Sequence, residues 1–158
     1  MRLHEYAVDG LLPSAVVRPD TVEQVALVLQ WAQREKLAVI PSGSGSQIGL
    51  GGIPKRVDLL LSLRRLAQVN DYDVANFTIT VGAGMTFAEL APLTAAHMQM
   101  LPLQYPTSIA TLGGLIASNA YSPMRIRYGG VRDLLLGLRI ALPSGEIAHF
   151  GGKVVKNV

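Results

Sequence analysis

The residues with the clearest chemical potential are the serines and glycines of residues 37–54, LAVIPSGSGSQIGLGGIP. Glycine occupies positions 43, 45, 49, 51 and 52, and Ser42, Ser44 and Ser46 alternate with the first of them. A backbone without Cβ atoms can turn successive N–H groups toward one point, and the hydroxyl groups add further donors. This chemistry favours an anion, above all a phosphate. A flexible surface turn is the alternative.

Two common phosphate-binding loops do not fit this segment. A Walker A loop needs Gly-Lys-Ser/Thr, and the first lysine after these glycines, Lys55, follows Pro54. A dinucleotide-binding fingerprint could be assembled from three of the glycines, but its last glycine must lie in a helix that faces the pyrophosphate. The glycines at 51 and 52 and Pro54 would break such a helix. We therefore expect the loop to hold its anion largely by backbone and hydroxyl donors.

A second stretch, residues 106–119 with the sequence PTSIATLGGLIASN, has similar chemistry. It contains the hydroxyl side chains of Thr107, Ser108 and Thr111 ahead of the pair Gly113-Gly114, and a small apolar helix is expected from Leu115. The alternative is a tight contact between a helix and a strand, which also needs glycines. Two such stretches in one small domain favour a single extended ligand, such as a dinucleotide, that touches both.

The surrounding pattern predicts the elements that position these stretches. Strands are expected at residues 14–18, 37–40, 57–61 and 77–81, and a hairpin at residues 134–142 and 146–150. Helices are expected after Thr21 and Thr86, each followed three residues later by the Gln24 or Glu89 of a capping box. The first strand, helix and second strand form a β-α-β unit, so these strands should be parallel, with the glycine loop at a carboxyl end. Trp31 is expected to pack in the core.

Composition limits the possible chemistry. The chain has 158 residues, is 49% hydrophobic and 16% charged, and contains no cysteine. Disulfides, thiolate nucleophiles and Cys-ligated zinc or iron–sulfur clusters are therefore excluded within it. No apolar export signal opens the sequence, and the uncharged residues 90–124 are interrupted by prolines and polar side chains, so no transmembrane segment is expected. No acid/base or metal-ligand constellation is visible, so the catalytic residues stay unknown and no metal site is predicted.

Charge is distributed unevenly. Six of the 14 basic side chains but only two of the 11 acidic ones follow residue 124. Few aromatic side chains are interleaved with them, so nucleic-acid binding is not expected. A small anionic substrate, a phosphate or an acidic partner fits better, with Arg127 and Arg132 beside Asp133 as candidates.

Four motifs together resemble the FAD-binding domain of the vanillyl-alcohol oxidase and p-cresol methylhydroxylase flavoprotein family. They are PSGSGSQIG, TVGAGMTFAEL, the Pro-Thr-Ser-x-Ala-Thr-x-Gly-Gly-x-x-Ala-x-Asn run, and YGGVRD at residues 128–133. Within that family, the E subunit of bacterial glycolate oxidase is the nearest likeness. The match covers nearly the whole chain from Ala15 in the family's order.

The resemblance implies an α+β fold of two lobes with FAD between them. A small parallel β-α-β lobe would occupy about residues 14–81, and a mixed or antiparallel lobe about residues 82–158. Residues 1–158 would then be an incomplete FAD-binding domain, truncated at its C-terminus and without the substrate domain. The implied cofactor-binding residues are Ser42, Gly43, Ser44, Gly45, Ser46, Gln47 and Gly49 in the first stretch, and Thr107, Thr111, Gly113, Gly114, Ala117 and Asn119 in the second.

The resemblance also implies a function. The chain would serve a flavin-dependent oxidoreductase that acts on a 2-hydroxy acid such as glycolate, with a second flavin subunit and an iron–sulfur subunit as partners. It would be cytoplasmic, or else peripheral at the inner membrane through partners. FAD should be bound non-covalently, because Gly45 stands where covalent members carry a histidine, and these 158 residues alone should bind it poorly. The alternative is a non-catalytic scaffold subunit that retains the flavoprotein fold.

Overall fold

A computed structural model describes residues 3–105 and 107–153. Pro106 of the second stretch and the final Lys156, Asn157 and Val158 lie outside the described residues. The fold is α+β, as the sequence predicted, with one parallel sheet and two antiparallel strand pairs. No helix within the described part of the chain is long and apolar enough to cross a membrane.

The parallel sheet contains β1 (Ala15–Val17), β2 (Val39–Ser42) and β3 (Leu59–Ser62) in the order β1-β3-β2. β3 is buried along its whole length because both neighbours pair with it. The predicted parallel strands are confirmed, but β2 begins two residues later than expected. The N–H of Ala38 donates to the Asp58 carboxylate at 2.6 Å, a side-chain bond that replaces the ladder just before the strand.

Helix α1 (Val22–Arg34) connects β1 to β2. The Thr21 hydroxyl accepts the N–H of Gln24, as the capping box predicts, but the Gln24 side chain caps the N–H of Asp20 at 2.7 Å instead of that of Thr21. Val25 and Ala32 form the buried stripe. The prediction for Trp31 is wrong: it is 42% exposed, because its position lies about 100° around the helix from that stripe.

The first antiparallel pair joins β4 (Val69–Asp73) and β5 (Thr78–Val81). β5 was predicted, but Phe77 lies in the preceding turn with φ 56° and is 79% exposed. β4 was not predicted because its sequence, VNDYD, has neither alternating apolar residues nor strong strand propensity. Pairing with β5 supplies the stability that its own composition lacks.

The remaining elements run from α2 to β7. They are α2 (Phe87–Ala95), α3 (Leu112–Ala117), α4 (Arg125–Tyr128), α5 (Val131–Leu134) and the antiparallel pair β6 (Gly137–Ala141) and β7 (Ile147–Gly151). The capping box of α2 and the hairpin are confirmed. Helix α3 begins at Leu112, earlier than predicted, so both glycines lie in its first turn. The single-turn helices α4 and α5 were not predicted, since four residues carry little periodicity.

Three apolar clusters hold these elements together. Leu60 packs with Val8 and Val57, and Leu61 packs with Val25 and Leu66 on the α1 side of the sheet. The third cluster consists of Leu103, Ala110, Leu115, Ala120 and Val131. Ala141 of the hairpin packs against the α1-side cluster, so an element assigned to the second lobe contacts the first. The lobe boundary near residue 81 stays a prediction.

Candidate functional site

The first glycine loop, residues 42–49, starts at the carboxyl end of β2. The Ser42 carbonyl accepts the N–H of Leu63 at 2.8 Å, which is the last bond of the parallel ladder. Gly45 then has φ 75°, a conformation that favours glycine, and a 3-10 turn at Ile48–Leu50 follows. The loop is followed by this short turn and not by a long helix. This agrees with the rejection of a dinucleotide-type fingerprint.

The backbone donors of this loop are available for a ligand. Among the described residues, the N–H groups of residues 43–47 donate to no protein acceptor. The nearest loop bond runs from the N–H of Ile48 to the Gly45 carbonyl at 3.2 Å, and the Ser44 and Ser46 hydroxyls lie 3.4 Å apart. Consecutive N–H groups of this kind can bind an anion.

The second glycine segment, residues 107–119, is held against the strand-like stretch that precedes α2. The N–H of Leu112 donates to Met85 at 2.8 Å, and the N–H of Gly113 donates to Ala83 at 2.9 Å. Thr111 and Thr86 form an antiparallel bridge, and both are buried. The Thr111 hydroxyl also caps α3 through the N–H of Gly114 at 3.3 Å.

The two glycine-rich regions meet at Gly43 and Thr111. A Cβ added at Gly43 would overlap the Thr111 side chain, and it would lie only 2.9 Å from both Cβ and Cγ2 of that residue. A second link joins the side-chain amide of Gln47 to the hydroxyl of Tyr105, just before the second segment. The tertiary structure thus brings together two regions that are about 65 residues apart in sequence.

Residues that sequence reasoning did not assign to the site support this meeting point. A Cβ at Gly113 would lie 2.8 Å from Cβ of Ala83, and Gly84 packs against the Leu63 carbonyl. Arg64 donates to the Gly84 carbonyl at 2.6 Å, which ties the end of β3 to the turn before α2. The motif TVGAGMTFAEL already contained the signal for this turn, since its two glycines flank Ala83.

The capping box of α2 anchors the same region. The Glu89 carboxylate accepts the Thr86 hydroxyl at 2.6 Å and the Thr86 N–H at 2.7 Å, and Arg64 lies 3.7 Å away. The hydroxyl bond, the N–H bond and the charge of Arg64, in that order, lower the pKa of Glu89 below 4.5. Thr86 is therefore fixed next to Thr111 by bonds that an ionised carboxylate strengthens.

The other predicted site residues differ in their surroundings. Gly49 lies beside the Asp9 carboxylate: a Cβ added at Gly49 would lie 3.4 Å from Oδ1 of Asp9. Thr107 is half-buried, and Ser46, Gly114 and Ala117 are exposed. Asn119 has φ 45° and lines a small cavity beyond the end of α3.

A cavity elsewhere in the molecule does not coincide with the glycine-rich regions. It has a volume of about 480 Å³ and lies at the amino ends of the parallel strands, where Ala15, Leu37 and Leu59 line it with Trp31. The first glycine loop follows the opposite, carboxyl end of β2. Ligands of parallel sheets bind at carboxyl ends, so the glycine loop remains the better candidate site.

Comparisons with known proteins identify the family to which the chain belongs. A family described as FAD binding domain matches residues 13–151. The chain belongs to this FAD-binding domain family. D-2-hydroxyglutarate dehydrogenase from Xanthomonas citri pv. viticola is 36% identical over 152 residues, which cover 92% of this chain and 31% of that protein. Glycolate oxidase subunit GlcD from Bacillus subtilis is 29% identical, covering 93% of this chain and 32% of that protein.

A solved structure shares the fold. p-Cresol methylhydroxylase with substrate bound has a TM-score of 0.72 and 24% identity, covering 88% of this chain and 27% of that chain. The predicted p-cresol methylhydroxylase type of fold is therefore confirmed. The chain spans less than one third of the length of these relatives.

FAD is the cofactor of this domain, and the residues at the meeting point fit it. The Gln47 side-chain oxygen is buried and, within the described ranges, has no hydrogen-bond partner. There is no room for a Cβ at Gly43. The N–H groups of residues 43–47 have no acceptor among the described residues. The phosphates of the cofactor would accept these N–H groups, and a hydroxyl or N–H donor of the cofactor would satisfy the Gln47 oxygen.

Proposed function

We propose that this FAD-binding domain serves a flavin-dependent oxidoreductase that oxidises a small 2-hydroxy acid. The observation that supports it most directly is the contact between Gly43 and Thr111 beside a row of unbonded N–H groups. The bound flavin would supply a hydride acceptor, and the chain's own residues would bind and orient it.

Within this proposal, the first glycine loop binds the pyrophosphate. Its N–H groups and serine hydroxyls are the donors, and Gln47, held by Tyr105, closes the end of the loop. The second glycine segment lies along the flavin side. The cofactor-binding residues are Ser42, Gly43, Ser44, Gly45, Ser46, Gln47, Gly49, Thr107, Thr111, Gly113, Gly114, Ala117 and Asn119.

The names of the relatives support the substrate class. One is a dehydrogenase of D-2-hydroxyglutarate and another is a subunit of glycolate oxidase, and both names refer to 2-hydroxycarboxylates. Glycolate is our proposed substrate within this class. The word subunit in the second name supports assembly with other chains. From the resemblance described above, we propose that these are a further flavin subunit and an iron–sulfur subunit, and that the assembly is cytoplasmic or held at the inner membrane through these partners.

Titration of the chain with FAD, followed by flavin fluorescence, tests cofactor binding. We expect saturable binding with a Kd in the micromolar range, about −8 kcal/mol. Gly43→Ala should weaken binding by about 100-fold or more, because the new methyl group forces Thr111 and the loop apart. Gly51→Ala is the matched control, since its Cβ meets open space and its φ is −84°.

A second variant covers the case in which Gly43→Ala does not fold. Gln47→Leu introduces no backbone clash and removes the buried amide oxygen, so we expect about tenfold weaker FAD binding with the circular dichroism spectrum unchanged. Equal FAD affinity in Gly43→Ala, Gln47→Leu and Gly51→Ala would contradict the assignment of the loop. Absence of saturable FAD binding by the wild-type chain up to about 1 mM would overturn the proposal for this chain.

Acid precipitation of the FAD-loaded chain tests the mode of attachment. The chain has no cysteine, and Gly45 occupies the loop position where covalent members of the resembling family carry a histidine. All of the flavin should therefore remain in the supernatant. Flavin absorbance in the washed pellet would show a covalent bond.

A further inference from the structure

A second, smaller cavity lies beyond the end of α3. Its volume is about 180 Å³, and it is lined by Asn119, Ala120, Arg125, Gly130, Arg132 and Asp133. We call it the arginine cavity. Typical sites for drug-sized ligands measure about 300–1,000 Å³, so this cavity suits a small molecule or one functional group of a larger one.

The lining carries an excess of positive charge. Arg125 and Arg132 have no carboxylate within 4.0 Å anywhere in residues 3–105 and 107–153, whereas Arg64 and Arg65 each have one. Asp133 is the acidic group of the lining, and one of its oxygens accepts the N–H of Gly130 at 2.8 Å. Two guanidinium groups thus share the cavity with a carboxylate that is engaged in a backbone bond.

The cationic groups are positioned by their neighbours. The guanidinium carbon of Arg125 lies 5.5 Å from the ring centroid of Tyr121, an arrangement typical of a cation–π contact. The buried Val131 places the adjacent Arg132 at the start of α5. Arg127 follows Arg125 by two residues. Its guanidinium lies over the ring of Tyr128, and it is not among the residues that line the cavity. The structure therefore pairs Arg132 with Arg125, and not with Arg127 as the sequence suggested.

We propose that the arginine cavity binds the carboxylate of a small organic acid. Guanidinium groups bind carboxylates through paired, charge-assisted hydrogen bonds. The cavity adjoins the end of the second glycine segment, since Asn119 belongs to both. The identification of this carboxylate as that of the substrate rests on the proposed function. The existence of the carboxylate site does not depend on the proposed function.

NMR titration of the chain with glycolate at constant ionic strength tests the proposal. We expect saturable shifts of the Arg125 and Arg132 Nε–H signals and of the Asn119 amide. Arg125→Gln and Arg132→Gln should each weaken glycolate binding by about fivefold to tenfold, the low end for charge-assisted bonds because both side chains are exposed. Arg127→Gln, a neighbouring arginine outside the cavity, is the matched control and should leave the affinity unchanged.

Two further measurements in the same titration distinguish a carboxylate site from a phosphate site. Inorganic phosphate should bind more weakly than glycolate, and FAD should not displace glycolate from the cavity. Tighter phosphate binding, or competition by FAD, would assign the cavity to the cofactor and overturn the proposal. Equal weakening by Arg127→Gln, or the absence of saturable glycolate shifts, would also overturn it. Glycolate binding without FAD binding would support the carboxylate site while contradicting the proposed function. Failure of the carboxylate site and failure of the proposed function are therefore distinguishable.

Discussion

In the first glycine loop, the N–H groups of residues 43–47 donate to no acceptor among the described residues, and Gly45 has φ 75°. In the second glycine segment, the N–H groups of Leu112, Gly113 and Gly114 are all bonded within the protein. The glycines of the second segment lie in the first turn of α3, where Gly113 packs on Ala83. Similar composition therefore serves a donor-rich loop in one region and a close packing contact in the other.

This difference separates two requirements of a cofactor site. The loop supplies hydrogen-bond donors that a ligand must satisfy, while the segment supplies a wall whose own polar groups are already satisfied. A substitution in the segment should therefore act first on folding, and a substitution in the loop should act first on binding.

Within the second glycine segment, Gly113→Ala should cause a large loss of stability. The added Cβ would lie 2.8 Å from Cβ of Ala83 and 2.9 Å from its carbonyl oxygen, so the helix must shift and the free energy of unfolding should fall by about 1–3 kcal/mol. Urea denaturation measures this loss. Unchanged stability together with weaker FAD binding would show that this glycine acts on cofactor binding and not on packing, and would remove the distinction between the two regions.

Gly45→Ala should test the loop in the same way. Its φ of 75° costs an alanine about 1–2 kcal/mol, while the space around it is open apart from the Ser42 hydroxyl at 4.0 Å. Because the loop is exposed, we expect it to relax, so that FAD affinity falls about tenfold while the urea midpoint changes little. A large loss of stability with normal FAD affinity is the result that would contradict this.

Tyr105→Phe should remove the link between the first glycine loop and the second glycine segment, with a smaller effect on FAD binding. The hydroxyl is the acceptor of the Gln47 side-chain amide, and its loss leaves a donor unpaired at a cost of about 1 kcal/mol. We expect FAD binding to weaken about threefold to fivefold, measured by fluorescence titration, with the fold unchanged. An affinity equal to that of the wild type would show that Gln47 keeps its position without this bond.

The smallest expected effect is on pH dependence. The pKa of Glu89 is lowered in the folded chain by its bonds to Thr86, so its stabilisation is present above pH 4.5 and is lost as the pH falls below that value toward the folded pKa. Glu89→Gln should therefore destabilise the chain near neutral pH, and the difference from wild type should shrink between about pH 5 and pH 3. Thermal unfolding across this range measures it. A difference that does not change with pH would mean that the carboxylate charge is unimportant.

Local signals in the sequence were sufficient for much of the fold. The capping box at Thr86 and Glu89, the turn at residues 143–145 and the buried run that becomes β3 each depend on neighbouring residues, and they were predicted correctly. The combination of glycine motifs also indicated an FAD-binding domain, which the family match over residues 13–151 shows. Polar β4 and the exposure of Trp31 were missed, because one depends on a partner strand and the other on which helix face meets the sheet.

By itself, then, the sequence determined most of the element types and the parallel direction of the first strands, and its resemblance to a known family indicated the cofactor. Only the tertiary structure decided that Gly43 meets Thr111, that Gln47 bonds to Tyr105, and that Arg125 shares a cavity with Arg132. The first two pairings join residues more than 50 positions apart, and the third depends on a turn at Gly129 with φ 84°. Such contacts are set by how separate elements pack, and no local periodicity or turn signal encodes them.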